Sequence, residues 1–207
     1  MTIKTIQVGP IMTNCYLLCD EAAGQCALID PGDDAARVEK LVQESGCALE
    51  YILLTHGHFD HTSAVRPLLE NHPDVPVYIH EKDSVDGPGG ELRFSRVGEK
   101  NQRYYKEGDV ITVGTIPLRV METPGHSEGS VCLLAESEHV MFAGDTLFRC
   151  SCGRCDFPGG DYRKMLTSLS RLAALEGDWR VLPGHDMETT LDFERRANPY
   201  MKQGTAR

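Results

Sequence analysis

Short apolar runs that alternate with turn residues recur along the whole chain and predict a protein rich in β-strands. Runs of this kind, bounded by Gly, Pro, Asp or Asn, are typical of strands in globular proteins. Predicted strands of the first half cover residues 5–8, 14–19, 25–30, 51–55 and 75–80. Predicted strands of the second half cover residues 110–113, 118–123, 130–135, 140–143 and 179–182. The second half therefore repeats the plan of the first.

Helical spacing of apolar residues is confined to a few segments. One helix is predicted after Asp33 or Asp34 and stops at Gly46. Another is predicted after Thr62, with a kink or a late start at Pro67, because proline inside a helix removes a hydrogen bond. The apolar positions of these two helices are Val38, Leu41, Val42, Ala64, Val65, Leu68 and Leu69.

The remaining segments predict a long loop and two late helices. Residues 84–108 are rich in glycine and charge, which predicts a long loop with some helix. A helix begins at Asp161 and has Met165, Leu169, Leu172 and Ala173 on one face. The tail from 188 to 200 is predicted to be helical until residues 198–199. If the helices cover the outer faces of two packed sheets, the fold is a four-layer α/β sandwich, and we expect one domain over residues 1–207.

Composition and charge narrow the classes of partner. The chain has 21 basic and 31 acidic residues, a net charge of −10, which disfavours a nucleic-acid partner because phosphate binding needs clustered Lys and Arg. The N-terminal residues lack the apolar core of a signal peptide, and no apolar run is long enough to span a bilayer. We therefore expect a soluble cytoplasmic protein without a membrane partner. The sequence does not indicate an oligomeric state.

Eight cysteines fall into two groups. Three of them, Cys150, Cys152 and Cys155, form a cluster that could hold zinc, but no fourth ligand follows at finger-like spacing. The other five lie in apolar segments and predict buried free thiols. They are Cys15, Cys19, Cys26, Cys47 and Cys132.

Metal-binding residue types cluster directly after the predicted strand 51–55. His56, His58, Asp60 and His61 lie within six residues there. His56 and His58 are two apart on a turn and can address one ion. Asp60 and His61 follow a further bend and can address a second ion. A strand that ends in such a cluster brings several ligands to one edge of a sheet.

Three later residues share this context. His126, Asp145 and His185 each follow a predicted strand, and a glycine immediately precedes each of them, which permits a sharp turn. A single histidine after Pro-Gly is usually a solvated loop residue, but four such segments in one chain make coincidence improbable. Five His and two Asp exceed the needs of one tetrahedral ion and suit two ions that share a carboxylate. His72, His80 and His139 lack this context, and no chemistry is assigned to them.

The pattern His-x-His-x-Asp-His at 56–61, with the three later residues, closely resembles that of the metallo-β-lactamase-fold hydrolases. The resemblance covers nearly the whole chain and implies a four-layer αββα sandwich. It implies that Asp145 bridges two metals and that Asp30 steadies the site from behind. The ligands it implies are His56, His58 and His126 for the first metal and Asp60, His61 and His185 for the second.

Within that superfamily the chain most resembles the glyoxalase II group, the hydroxyacylglutathione hydrolases. The runs GDTLF at 144–148 and GRCDFPGGD at 153–161 look like those of its short bacterial branch. Full-length glyoxalase II adds a C-terminal helical domain that supplies part of the glutathione site, and we expect that domain to be missing. The resemblance implies that Arg154 binds a carboxylate of the substrate.

The reaction implied is hydrolysis of a small-molecule thioester, such as S-lactoylglutathione, by attack of a metal-bound hydroxide. Two divalent ions are expected, zinc first, with iron or manganese as alternatives. Asp60 and Asp145 are the expected catalytic residues, and Tyr104 and Tyr105 either line the pocket or serve only in packing. The rival is a persulfide dioxygenase of the same fold.

That rival would use a single iron, which His56, His126 and Asp145 could bind. The run CGRCDF at 152–157 resembles the corresponding segment of such dioxygenases, whereas PGGD at 158–161 looks more like the hydrolases. A metal-binding module without enzymatic activity is a weaker alternative.

Overall fold

The computed structural model describes residues 1–87 and 91–205, and two six-stranded sheets dominate it. In spatial order the first sheet contains β1 (Thr2–Val8), β2 (Thr13–Asp20), β3 (Gln25–Ile29), β4 (Ala48–Leu53), β5 (Val77–His80) and β8 (Gln102–Tyr105). The second contains β14 (Thr189–Thr190), β13 (Arg180–Pro183), β12 (Val140–Gly144), β11 (Val131–Ala135), β10 (Ile116–Glu122) and β9 (Val110–Val113). Two short strands, β6 (Ser84–Val85) and β7 (Phe94–Ser95), pair with each other.

Both sheets mix antiparallel and parallel pairs. In the first, β1 to β3 are antiparallel neighbours and β3, β4, β5 and β8 are parallel. In the second, β9 to β12 are antiparallel, β12 and β13 are parallel, and β14 is antiparallel to β13. The carboxyl ends of β4 and β5 therefore lie at one edge of the first sheet, and those of β12 and β13 at one edge of the second.

Side chains of each sheet divide between two apolar layers. In β2, Cys15, Leu17 and Cys19 pack toward the helices, while Tyr16 and Leu18 pack between the sheets. This period-two division explains why every residue of β2 is buried.

Helices cover the outer face of each sheet. On the first sheet lie α1 (Ala35–Ser45) and α3 (Val65–Asn71), and on the second lie α4 (Tyr162–Ala173), α5 (Leu191–Ala197) and α6 (Pro199–Thr205). A single turn, α2 (Phe59–Thr62), precedes α3. The predicted four-layer αββα sandwich is thus confirmed. Among the residues described, no helix is both long and apolar enough to cross a membrane.

Of three local predictions about the helices, two are wrong and one is confirmed. Thr62 does not cap the helix that follows, because it ends α2 and its hydroxyl donates to the carbonyl of His58. The late start is confirmed, since α3 begins at Val65 and Pro67 lies in its first turn, where no helical hydrogen bond is lost. The helical tail does not end at 198, because Pro199 begins α6 in the position that tolerates proline best.

The predicted loop at 84–108 is only partly correct. No helix forms in the described part of this segment; residues 88–90 of the prediction lie outside it. Instead, β8 adds to the edge of the first sheet through pairs such as Val77 with Gln102. This strand was not predicted because it is short and begins with the polar residues Gln102 and Arg103, which an edge strand tolerates on its solvent-facing side.

Candidate metal centre

Seven side chains from both halves of the chain meet at one place. The donor atoms form three overlapping groups, and within each group they lie within 4.8 Å of one another. The groups are His56, His58 and His126; His56, His61 and Asp145; and Asp60, His61 and His185. Every metal ligand expected from the sequence therefore belongs to this cluster.

The first group, His56, His58 and His126, surrounds one point. His58 Nδ1 and His126 Nε2 lie 2.9 Å apart, and the ring centre of His56 lies 4.6 Å from that of His58. All three residues are buried. Nitrogen atoms on three histidines thus face a common position.

Asp60, His61 and His185 surround a neighbouring point and form what we call the second group. Asp60 Oδ2 lies 3.1 Å from His185 Nε2 and 3.3 Å from His61 Nε2. Asp145 lies between the groups, since its Oδ2 is 3.4 Å from His126 Nε2 and 3.6 Å from His185 Nε2. Its other oxygen, Oδ1, is 3.4 Å from His61 Nε2. One carboxylate therefore faces both points.

Unpartnered buried atoms show that the cluster fits cations. Within the described ranges, His56 Nε2, His61 Nε2 and Asp145 Oδ1 are buried and have no hydrogen-bond partner. Buried polar atoms in folded proteins nearly always have a partner. Imidazole and carboxylate groups suit zinc, iron and manganese alike. These residues therefore fit two divalent ions, and the donor types do not select the metal.

Electrostatics keep the first group ready to bind a cation. Burial, with nearby histidines, lowers the pKa of His56 well below its usual range and that of His58 to about 4. Both rings are therefore neutral near pH 7, as a metal ligand must be. Burial acts to raise the pKa of Asp145, but His61 and other histidines outweigh it, and the net effect is a lowered pKa. Asp145 is accordingly ionised.

Asp30 lies directly behind the ligands. Its Oδ2 is 3.0 Å from His61 Nδ1, and its two oxygens accept hydrogen bonds from the backbone and hydroxyl of Thr55, both at 2.7 Å. Thr55 Oγ1 in turn lies 3.1 Å from His56 Nδ1. Contacts of this kind fix the orientation of a ligand ring and which nitrogen carries its proton.

Three residues of β2 position the second group, and their roles were not predicted. Thr13 donates a hydrogen bond to Asp60 Oδ2 at 3.0 Å. The amide of Asn14 and the hydroxyl of Tyr16 both donate to the carbonyl of Pro183, at 3.0 and 2.6 Å, in the turn that carries His185. Nothing in the run TNCYL at 13–17 indicates these contacts, because both partners lie far away in the sequence.

Asp83 is a second unpredicted residue, and it joins the loops of the first group. Its carboxylate accepts hydrogen bonds from Gly57 N at 3.0 Å, Ser127 Oγ at 2.6 Å and Gly129 N at 2.7 Å. Gly57 lies between His56 and His58, and Ser127 follows His126. Asp83 is 2% exposed. No local motif marks it, since its partners come from two other loops.

The glycines before the later ligands serve two different purposes. Gly144, before Asp145, has a φ of 46°, a conformation that side chains disfavour, as the sequence predicted. Gly184 has no such backbone angle, and the predicted reason is wrong there. A Cβ at Gly184 would lie 2.2 Å from Asp145 Oδ1, so glycine is needed for close approach instead.

A cavity of about 440 Å³ opens onto the cluster. Its floor contains His58, Asp60, His126, Asp145 and His185. Its remaining lining is Ile11, Phe59, Glu91, Leu92, Phe148, Ser151, Cys152, Arg154 and Phe157. This volume lies in the range of small-molecule sites.

Arg154 lies at the rim of this cavity and is already paired. Its Nε and one terminal nitrogen each contact a carboxylate oxygen of Asp156 at 2.7 Å, and its guanidinium lies 4.1 Å from the ring centre of Phe157. Its backbone carbonyl accepts a hydrogen bond from His126 Nδ1 at 2.7 Å. That bond leaves Nε2 of His126 free to face the cluster.

Several other predicted residues lie elsewhere. Tyr105 is buried and donates a hydrogen bond to the carbonyl of Leu54, while Tyr104 is exposed near Arg96, and neither lines the cavity. Cys152 lines the cavity. Among the described residues, none of the groups that could bind a metal ion includes Cys150, Cys152 or Cys155.

The other cysteines and histidines mostly follow the sequence predictions. Cys15, Cys19, Cys26 and Cys132 are buried free thiols, whereas Cys47 is only half-buried. The three histidines without assigned chemistry lie outside the cluster. They are His72, which contacts Glu39, His80, which contacts Glu122, and His139, which stacks on Trp179.

Comparison with known families agrees with this geometry. The sequence model of the metallo-β-lactamase superfamily matches residues 8–185 of this chain. The chain belongs to this superfamily. Membership makes it part of a superfamily of metal-dependent hydrolases, and its His and Asp side chains form groups that could hold metal ions.

Two curated relatives cover nearly the full chain. The probable metallo-hydrolase YqgX of Bacillus subtilis is 35% identical across 97% of this chain and 98% of its own. The hydroxyacylglutathione hydrolase GloC of Haemophilus influenzae is 32% identical across the same shares.

Three solved structures share the fold and more than 30% of the sequence. The B3 metallo-β-lactamase BLEG-1 has a TM-score of 0.86 and 32% identity over 97% of this chain and 99% of its own. TTHA1623, in a di-iron-bound form, has a TM-score of 0.80 and 36% identity over 95% and 99%. ETHE1 from Myxococcus xanthus has a TM-score of 0.78 and 31% identity over 96% and 84%.

Proposed function

We propose that this protein hydrolyses small-molecule thioesters at a two-metal centre, with an activity like that of glyoxalase II. The observation that carries the proposal is the position of Asp145, whose carboxylate faces both His126 and His185. A shared carboxylate between two ligand groups is what a pair of closely spaced ions requires. The similarity to the hydroxyacylglutathione hydrolase GloC supports the choice of a thioester.

The proposed ligands are those that the sequence pattern implied. His56, His58 and His126 hold the first ion, Asp60, His61 and His185 the second, and Asp145 both. Divalent ions held there would supply a lowered pKa for a bound water and polarisation of an acyl carbonyl. Zinc is the proposed metal, with iron and manganese as alternatives that the same donors accept.

Asp60 is proposed to orient the attacking water. Thr13 fixes one of its oxygens. Burial acts to raise the pKa of Asp60, but hydrogen bonds with His185 and His61 prevail and hold it well below its usual range. A carboxylate with so low a pKa accepts a hydrogen bond without keeping the proton. Asp60 therefore directs the water as an acceptor.

The leaving group needs no dedicated acid. Hydrolysis forms a bond from water oxygen to the acyl carbon and breaks the bond from that carbon to sulfur, and the products are a carboxylic acid and a thiol. A free thiol has a pKa of about 8.5, so it departs as thiolate and then takes a proton from solvent. This property favours thioesters over amides as substrates for the site.

Arg154 is proposed to bind a carboxylate of the substrate, and doing so requires it to release Asp156. Both side chains of that pair are exposed, by 60% and 67%. Solvent screens exposed pairs of this kind, so the exchange costs little. The planar guanidinium suits a carboxylate in either pairing.

Metal analysis together with a thioester assay tests the proposal. Protein purified without added metal is expected to carry two divalent ions per chain and to hydrolyse S-lactoylglutathione. The rival is a dioxygenase with one iron bound by His56, His126 and Asp145. A single iron per chain, with oxygen consumption on glutathione persulfide and no hydrolysis of any thioester, would show that the rival is correct.

A further inference from the structure

The walls of the cavity differ in chemistry from its floor. Two phenylalanine rings of the lining contact the ligand cluster at different histidines. Phe157 lies 5.7 Å from the ring of His58, and Phe148 lies 6.1 Å from the ring of His185, both edge to face. The ligands of the cavity are therefore bordered by two aromatic rings.

The mouth of the cavity is also apolar. Ile11 and Phe59 are 51% and 42% exposed there, and Leu92 lies beside them in the lining. Large apolar side chains that remain exposed around a concave site commonly mark a binding surface. This surface is continuous with the cavity that leads to the ligands.

The lining offers few charged side chains that could bind a polar acyl group. Apart from the ligands, its only charged side chains among the described residues are Glu91 and Arg154. Arg154 stacks on Phe157 and is paired with Asp156, so its charge is already balanced at the rim. The walls are thus suited to apolar groups close to the reacting carbonyl.

We infer that this site selects thioesters with an apolar acyl group, a medium-length alkyl or an aryl chain, over hydroxyacyl thioesters. The inference rests on the proposed function and names the class of substrate within it. Each methylene group removed from water contributes about fourfold in kcat/KM, because burial of one CH₂ is worth about 0.8 kcal/mol. The acyl chain would lie along Phe148 or Phe157, with Ile11, Phe59 and Leu92 at its far end.

A substrate series on the wild-type protein tests this inference. Acetyl, lactoyl, butanoyl, hexanoyl and phenylacetyl thioesters are compared on one uncharged thiol, N-acetylcysteamine, and again on glutathione. On both carriers the hexanoyl thioester is expected to have a kcat/KM roughly tenfold or more above that of the lactoyl thioester. Equal or faster turnover of the lactoyl thioesters would overturn the inference and leave the proposed hydrolase standing. No hydrolysis of any thioester by protein with both ions bound would instead overturn the hydrolase proposal, and this inference with it.

Two variants and a binding measurement locate the selectivity. In Phe148→Ala or Phe157→Ala, the ratio of kcat/KM for hexanoyl to that for lactoyl thioester is expected to fall severalfold. Tyr104→Ala is the control, since this exposed aromatic residue does not line the cavity. Metal-free protein should bind the thioether S-hexyl-N-acetylcysteamine more tightly than its S-methyl counterpart. An unchanged ratio in both phenylalanine variants, or equal binding of the two thioethers, would contradict the assigned walls.

Discussion

The carboxylate of Asp83 accepts a hydrogen bond from the backbone N–H of Gly57 at 3.0 Å, inside the run that carries His56 and His58. The same carboxylate accepts from Ser127, next to His126. One buried side chain thus fixes the spacing between two ligand loops, one following β4 of the first sheet and one following β10 of the second. Asp83 is therefore a positioning residue for the first ligand group.

Replacing Asp83 tests this role. Asp83→Ala leaves three buried donors without an acceptor and should lower the free energy of unfolding of the metal-free protein by about 1–3 kcal/mol. It should also weaken metal binding by roughly 10–100-fold, which competition with a chelator measures. Asp86→Ala, at an exposed carboxylate paired with Arg96, is the matched control and should change neither quantity by much. Wild-type metal affinity in Asp83→Ala would refute the positioning role.

The proposed division of ligands predicts metal stoichiometry. His58→Ala and His185→Ala each remove a ligand from one group only, and each variant should retain about one ion per chain after dialysis, where the wild type retains two. Asp145→Ala removes the shared ligand and should retain less than either. Elemental analysis provides the measurement, and His72→Ala, which alters a histidine paired with Glu39 outside the cluster, should match the wild type. Two ions in both single-group variants would exclude this division.

Asp30 is expected to act through His61. In Asp30→Asn the shape of the side chain remains, but the amide can present N–H where a carboxylate oxygen faced His61 Nδ1. The proton of His61 would then be favoured on Nε2, the atom that faces the cluster. Metal titration should show the affinity of the second site reduced by roughly 10–100-fold and that of the first site little changed. An equal loss at both sites would point to general unfolding instead.

Away from the metal centre, the lowered pKa of Asp20 makes the stability of the fold depend on pH. Hydrogen bonds from the hydroxyl and backbone of Thr115, at 2.6 and 2.8 Å, lower the pKa of Asp20 to about 2. An unfolded chain has an Asp pKa of about 3.9, so these bonds stabilise the fold above that pH. The stabilisation is lost as the pH falls from about 4 to about 2.

Asp20→Asn should therefore lower the free energy of unfolding near neutral pH, and the difference from wild type should shrink as the pH falls toward 2. Urea unfolding of the metal-free proteins at several pH values measures this difference. Because Asp20 at the end of β2 contacts the turn between β9 and β10, the bond links the two sheets. A difference that stays constant across this pH range would show that Asp20 contributes nothing through its charge.

Much of the fold follows from local patterns in the sequence. The apolar run of β2 and the helical spacing in α4 predicted the layers, because each element must bury one or both faces. The predictions were wrong where local signals were ambiguous. The edge strand β8 was missed because it is short and begins with the polar residues Gln102 and Arg103, and α6 because of the proline at its first position.

The sequence by itself placed the seven candidate metal ligands at the ends of predicted strands. It could do so because each ligand follows its strand within a few residues, and such residues lie at the edge of the sheet. It could not identify the residues that hold those ligands in place. Asp83 and Gly129 are 46 positions apart, and Asn14 and Pro183 are 169 apart. Contacts over such separations depend on how the two sheets pack, so only the tertiary structure determined them. The positions of Phe148 beside His185 and of Phe157 beside His58 were decided in the same way.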